Sequence, residues 1–284
     1  MSNGPVVVLA LSHDSPGLLR LLADGVLRGS NSVFVVHHDP RGPALDLPTD
    51  DRVVRVPNPT HLRWGREDLG LAILDSLEFC LDRYAELSWV LVVSGRDQLC
   101  RPMRAIESTL AESSHDAYAR WFAVPRRPDT PEHPWQVQCR KRYLQRVRLP
   151  GTHHSVPFVR RNPFDDGTGL FIGDAWVNLS GRALRHVIEQ RHGLGDVERF
   201  LSRCTATDEA LLPTLLHNGD TGLRIADTTR RFMRWTPGAA HPAVLRPADI
   251  PAVVASDAFF ARKFDDLETA MELQSAYTDM GRAT

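Results

Sequence analysis

Nowhere along its 284 residues does the chain contain an Asp-x-Asp. The nearest patterns, the Asp-x-Glu triplets at Asp196 and Asp266, fall in helical contexts and not at a strand end, so there is no acidic pair of the kind that chelates a divalent ion at the mouth of a sheet. A Gly-x-Gly-x-x-Gly turn is missing, as is a Gly-rich loop ending in Gly-Lys-Ser/Thr, which removes the dinucleotide fingerprint and the P-loop together. Cysteine is scarce: Cys80, Cys100, Cys139 and Cys204 are widely separated with no Cys-x-x-Cys pair. That scatter reads as reduced thiols in a cytoplasmic protein, not as a disulfide frame or zinc site, with Cys80, between Phe79 and Leu81, the first candidate for burial. No segment approaches the ~20 apolar residues of a membrane span. The apolar run from Val6 to Leu11 is too short for a signal-peptide core and has no basic stretch before it, so the chain is expected to be soluble and to start directly in its fold. Excess charge is also missing: 34 Lys and Arg stand against 35 Asp and Glu, a formal net charge of −1, which argues against duplex nucleic acid or an anionic membrane as a partner. Neither internal repeats nor long low-complexity tracts occur.

What is present is ordinary globular composition, 42% hydrophobic and 24% charged, and length enough for one large α/β domain with a buried sheet. Pro5 to Ser12 reads as a buried strand, His13-Asp14-Ser15-Pro16 as a polar turn, and Leu18, Leu19, Leu21 and Leu22 as the apolar face of a helix capped by Ser15. A second strand, Val33 to Val36, runs into His37-His38-Asp39, a third spans Val53 to Val56, and a helix covers Glu67 to Arg83. Ser88 to Ser94 is a further buried strand, ending in Gly95-Arg96-Asp97. Polar turns at the carboxyl ends of strands are where open α/β sheets bind ligands. His37, His38 and Asp39 invite a metal reading, but neighbours on an extended strand point to opposite faces. Residues 117–163 are the least informative, with one strand from Tyr118 to Val124, Pro-rich loops, and a basic run from Arg140 to Arg148 that reads as a solvated helix face in preference to a nucleic-acid contact. Further on, a helix opens at Thr205 or Thr207 with Asp208 and Glu209 in its first turn, where acids commonly serve the helix dipole alone. Finally, Asp257 to Asp265 sets Arg262 and Lys263 among Phe259, Phe260 and Phe264. Cations beside apolar walls suit a diphosphate; the alternative is a helix with its phenylalanines in the core and its cations snorkelling outward.

This last stretch, Asp-Ala-Phe-Phe-Ala-Arg-Lys-Phe-Asp, resembles the lFARKFD signature that closes the catalytic domain of the core-2/I-branching β-1,6-N-acetylglucosaminyltransferases and their relatives, the peptide O-xylosyltransferases. Other landmarks of that family follow in its order. His37 and Asp39 match hIHxD, Trp64-Gly65-Arg66 resembles its WG(G) or W-x-R element, and Ser88 to Asp97 is similar to lLSGxDxPl with Leu99 where the proline would stand. Gly169 to Arg182 resembles GSxWfxLsR with Asp174 replacing the serine, while Asp208, Glu209 and Thr214 fall in register with (p/s)DExxxxTil. Thr229 to Trp235 is similar to lRxixW, and His241-Pro242 with Arg246 to Asp249 to hPxxlxxeD.

The resemblance implies a GT-A-type nucleotide-diphospho-sugar transferase fold, a mixed central sheet flanked by helices, with 1–284 one glycosyltransferase domain. Residues 1–100 form its nucleotide-binding half; residues 101–284 carry the acceptor side, the catalytic base and the diphosphate motif. It further implies an inverting glycosyltransferase in which Glu209 is the base, His13, Asp39, Arg66, Arg231, Arg262 and Lys263 hold the UDP-sugar, and Asp174, Trp176 and Asp208 meet the acceptor. UDP-N-acetylglucosamine is the first donor expected and UDP-xylose the second. The acceptor is a hydroxyl-bearing small molecule or glycan, not nucleic acid, and without Asp-x-Asp no metal or other cofactor is expected. The resemblance also implies a membrane anchor and stalk in the family's animal members, a pattern from which this chain is expected to depart. The alternative is a catalytically inactive sugar-nucleotide-binding or scaffold protein of the same fold.

Overall fold

The computed structural model describes residues 4–62, 67–125, 134–149, 152, 154–157, 162–164, 167–219, 221–236, 238–239 and 241–283. From the amino end these form β1 (Val6–Ser12), α1 (Pro16–Leu27), β2 (Val33–His38), β3 (Val53–Arg55), α2 (Glu67–Arg83), β4 (Trp89–Ser94), β5 (Gln98–Leu99) and α3 (Met103–Ala111). The middle of the chain gives β6 (Ala117–Tyr118), β7 (Trp121–Ala123), α4 (Pro134–Leu144), β8 (Arg146–Arg148), β9 (Ser155–Pro157), β10 (Phe171–Gly173) and β11 (Asn178–Ser180). Then come α5 (Gly181–Gly193), α6 (Gly195–Leu201), a 3-10 turn (Thr207–Glu209), α7 (Leu211–His217), β12 (Ile225–Ala226), β13 (Arg231–Met233), α8 (Ile250–Ala255), β14 (Phe260–Arg262) and α9 (Leu267–Ala283).

Among the described residues the central sheet has seven strands in the order β12-β6-β11-β4-β1-β2-β3. β1 runs parallel to β2 and β4, and β11 runs antiparallel to β4 and β6, so the sheet is mixed. The continuous apolar run of β1 follows from burial on both faces, as parallel strands between helices require. Val7, Leu9 and Leu11 enter one core with α2, α5 and α7, while Val6, Val8 and Ala10 enter the other with α1, α3 and α9. This is the mixed sheet between helices that the sequence leads one to expect. Because β1, β2 and β4 are parallel, their polar ends at His13-Asp14, Asp39 and Ser94 to Asp97 open at one edge.

Local readings depart from expectation in three places. Ser15 adopts the left-handed region at φ 54° and makes no side-chain cap bond, although Pro16 does open α1. The strand expected from Tyr118 to Val124 is split, because β6 pairs in the central sheet while β7 pairs antiparallel with β10 in a separate ribbon. The acids at 208 and 209 precede α7 in the 3-10 turn instead of opening it. The cysteines agree with expectation: all four are free and buried, Cys80 among them, and burial pushes the Cys80 thiol up to about 12. Among the described residues no helix is long and apolar enough to cross a membrane.

Candidate active site

The Phe-rich stretch near the carboxyl end is a strand and not a snorkelling helix. β14 pairs parallel to β13 and antiparallel to β5, with Arg262 opposite Met233 and Phe260 opposite both Arg231 and Leu99. Phe259, Phe260 and Phe264 are fully buried in the core that holds α1 and α9, which leaves Arg262 and Lys263 half-buried at its edge. These strands bring two guanidinium groups onto one carboxylate, that of Asp97 in the turn after β4. Asp97 is wholly buried. Its Oδ1 accepts from Ser94 Oγ at 2.6 Å and from Arg262 Nη1 at 3.3 Å, and its Oδ2 accepts from Arg231 Nε at 3.0 Å. Gly95 permits this turn: a Cβ there would stand 2.8 Å from Ser12 Oγ on β1.

Arg231, expected to touch the donor, turns inward. Its side chain is 0% exposed, and its remaining donors go to the carbonyls of Trp176 and Val92, each at 2.8 Å. A ligand therefore meets its charge and its hold on Asp97, not its N–H groups. Arg262 is placed differently. Its guanidinium lies 4.7 Å from the centre of the Trp176 ring, a cation–π contact, and its Nε is buried without a partner. Lys263 has no ion pair among the described residues. Two cations against one carboxylate, with Lys263 adjacent, give this end of the site a positive surplus. Trp176, expected to stack a sugar, has one face taken by Arg262 in this structure.

The opposite wall carries acids. Glu209 ends the 3-10 turn, is 48% exposed, and accepts from Arg142 Nη1 of α4 at 3.1 Å. The turn is fixed from three sides. Thr207 Oγ1 donates to the carbonyls of Leu201 and Cys204 at 3.1 and 3.5 Å, and the buried Tyr143 donates to the Ala206 carbonyl at 2.9 Å. On the third side Gly70 of α2 lets the turn dock, since a Cβ there would lie 3.0 Å from the Asp208 nitrogen. Burial raises the Glu209 carboxyl above the usual range, Arg142 opposes that, and Asp174 adds to it. Asp174 in turn is raised by burial against the pull of Arg120, Arg231 and Arg262, with Asp227 adding to the rise. Asp174 thus feels Arg231 and Arg262 of the cationic end as well as Glu209. The cleft there measures about 370 Å³ and is lined by Asp174, Glu209, Asp227 and Arg120 with the indole rings of Trp121 and Trp235. Those rings are 38% and 51% exposed; Trp121 lies against the His217 ring at 4.0 Å, so Trp235 is the ring better placed for a sugar face than Trp176.

A larger concavity of about 810 Å³ lies at the opposite edge of the sheet, by Val6 and Trp89. Its Asp116 and Arg182 pair with each other at 3.3 Å, and it holds none of the chemistry above.

Asp39 sits at the end of β2, its N–H bonded to the Ser12 carbonyl at 2.8 Å, which puts it beside His13. Its carboxylate is engaged by the Arg41 side chain at 3.1 and 2.7 Å and by the backbone N–H groups of Arg41 and Leu62 at 2.9 and 2.7 Å. Those contacts, Arg41 foremost, hold it well below the ordinary carboxylate range. His37 Nε2 accepts from the Thr60 N–H at 3.0 Å and His38 Nε2 meets the Pro43 carbonyl at 2.8 Å. The two rings serve separate loops, and no three His, Cys, Asp or Glu groups converge on a metal position among the described residues. His13, which is exposed, lies 3.5 Å from Asp14. Trp64-Gly65-Arg66, with its expected donor contact at Arg66, lies outside the described residues.

Two consequences are open to measurement. Because Arg142 is the chief influence lowering Glu209, ahead of a hydrogen bond from Tyr143, Arg142→Gln should move the acidic limb of a kcat/KM profile upward, with Arg142→Lys restoring part of it. An unmoved limb would mean that Glu209 does not set it. Asp208, shielded behind the cleft and facing the Glu209 charge, is raised from 3.8 to about 7, chiefly by burial. The folded state therefore keeps a proton that the unfolded state releases near pH 4, so stability falls as pH rises from about 4 to about 7. Asp208→Asn should remove that slope, melting close to the parent at pH 4 and gaining on the order of 4 kcal/mol at pH 8. An equal offset at both pH values would reject it.

Sequence alone assigns no role to Asp97, Arg142, Trp121 or Trp235. A single acid ending an apolar strand was a signal for Asp97; Arg142 was hidden in a run of like charges.

Comparison with known proteins bears on residues 19–255, which match a family model described as Core-2/I-Branching enzyme. No curated protein matches the chain.

Proposed function

Since the chain belongs to the core-2/I-branching enzyme family of glycosyltransferases and has a GT-A-type mixed α/β fold, we propose that it moves a sugar from a UDP-sugar to an acceptor hydroxyl with inversion and without a metal. The observation that carries this reading is that Asp174, which lines one cleft with Glu209, also feels the charge of Arg262, the neighbour of Lys263 in the chain. Arg262, aimed by Asp97 and Trp176, and Lys263 neutralise the β-phosphate, where negative charge develops as the sugar departs. Glu209 takes the proton of the acceptor hydroxyl, whose oxygen attacks the anomeric carbon on the face opposite the breaking C–O bond. Trp121 and Trp235 offer apolar faces to the acceptor, and Asp174 and Asp227 accept hydrogen bonds from its hydroxyls. His13 and Asp39 border the nucleotide half, Asp39 chiefly by holding the loop at Leu62. N-acetylglucosamine is the first sugar to test and xylose the second.

The test is UDP release and product formation across a panel of UDP-sugars, with and without EDTA. Transfer from one donor, unaffected by EDTA, is the expected result. Activity lost to EDTA and restored by manganese would overturn the metal-free part. UDP binding with no transfer to any acceptor would favour the inactive binding protein.

A further inference from the structure

The turn that supplies Asp97 also carries Arg96, a residue that the mechanism above leaves unused. Its backbone is tied to both cationic residues of the proposed donor site: the Arg96 N–H donates to Ser94 Oγ at 3.3 Å, which also receives Arg262 Nη1 at 3.3 Å, and the Arg96 carbonyl accepts from the Phe264 N–H, next to Lys263, at 3.0 Å. Its side chain reaches across the strand ends to Asp14, in the turn after β1, and forms a two-point ion pair through Nη2 and Nε. That pair is 36% and 31% exposed, whereas Arg231 and Asp97 are both 0% exposed. A solvent-reached pair exchanges partners at low cost; a buried one does not.

Charge arithmetic gives the exchange a purpose. Arg231 and Arg262 less Asp97, with Lys263 added, leave two positive charges at most, before Asp174, which also feels both arginines, is counted. Those match the two negative charges of a nucleoside diphosphate ester, but the leaving diphosphate carries about one more once the C–O bond breaks. We propose that Arg96 is a further ligand of the donor diphosphate, held on Asp14 in the free protein and transferred from that carboxylate to the phosphate when donor binds. The inference rests on the donor-site reading above, and Asp14 is then a competitor for Arg96 and not a support for the site.

Competition and support forecast opposite signs. Calorimetry with UDP and with uridine as the phosphate-free probe should show Asp14→Asn tightening UDP about fivefold, the worth of a partly exposed pair. Arg96→Gln should weaken UDP roughly tenfold to a hundredfold, with Arg96→Lys intermediate, the double variant matching Arg96→Gln, and uridine unchanged throughout. If Asp14→Asn and Arg96→Gln weaken UDP alike, or Arg96→Gln binds UDP as the parent does, the proposal is overturned. Lys263→Ala separates this from failure of the donor site: it should weaken UDP whatever Arg96 does, and no effect there would reject the site itself.

Discussion

Glu209→Gln is expected to lower turnover by ~10²-fold or more while leaving the fold and UDP affinity intact, because glutamine keeps the shape of the side chain but cannot take the acceptor's proton. Two other roles for this residue forecast something different. A first-turn acid serving a helix dipole would cost a few tenths to ~1 kcal/mol of stability on neutralisation and leave turnover nearly intact; Glu209 instead closes a 3-10 turn ahead of α7, and that turn's Thr207 hydroxyl is spent on two carbonyls. A partner for Arg142 would fare similarly, since an ion pair 41% and 48% exposed contributes ~0–1 kcal/mol. Burial and Asp174 raise the Glu209 carboxyl, which makes it a stronger base than a free carboxylate once ionised, and Arg142 limits the rise. Asp208→Asn supplies the internal control: it changes the charge one residue away without touching the cleft wall, so equal losses from the two variants would point to the turn's structure. Retention of more than about a tenth of parental turnover by Glu209→Gln would end the assignment.

The central sheet was legible because burial on both faces leaves an unbroken apolar run, as in β1 and β4, and a polar cluster marks where each run stops. The identity of β14 was not. Phe259, Phe260 and Phe264 are spaced as well for one face of a helix as for a strand, and what decides between them is pairing with β5 and β13, far away in sequence. Asp39 could be recognised as an acid at a strand end, whereas its capture by Arg41 and the Leu62 N–H depends on how the loop folds back. The basic run at 140–148 reads as a solvated helix face; one of its members, Arg142, crosses 67 residues to reach Glu209, and nothing in a run of like charges distinguishes that member. The inward turn of Arg231 was equally hidden, since its partner Asp97 is 134 residues away.

That pairing makes the largest stability forecast. Asp97→Asn should cost ~3–5 kcal/mol in urea unfolding, because it removes the charge that compensates a wholly buried guanidinium and turns an amide N–H toward two cations. Burial alone already pulls the Arg231 guanidinium below its ordinary range, with Asp97 the chief opposing influence, so the arginine is poised to lose most when the carboxylate goes. An ordinary surface bridge would forecast a loss under ~1 kcal/mol. Coupling separates the two: with Arg231→Met also in place no buried cation is left stranded, and the double variant should recover a large part of what Asp97→Asn lost. Arg262 then reports the functional side, since it is held by Asp97 Oδ1 and Ser94 Oγ and lies over Trp176. The double variant should therefore regain stability and still bind UDP poorly, its buried charge removed but Arg262 no longer aimed. Additive losses from Asp97→Asn and Arg231→Met, or a single-variant cost below ~1 kcal/mol, would show that Asp97 is not the hub on which the cationic end of the site is built.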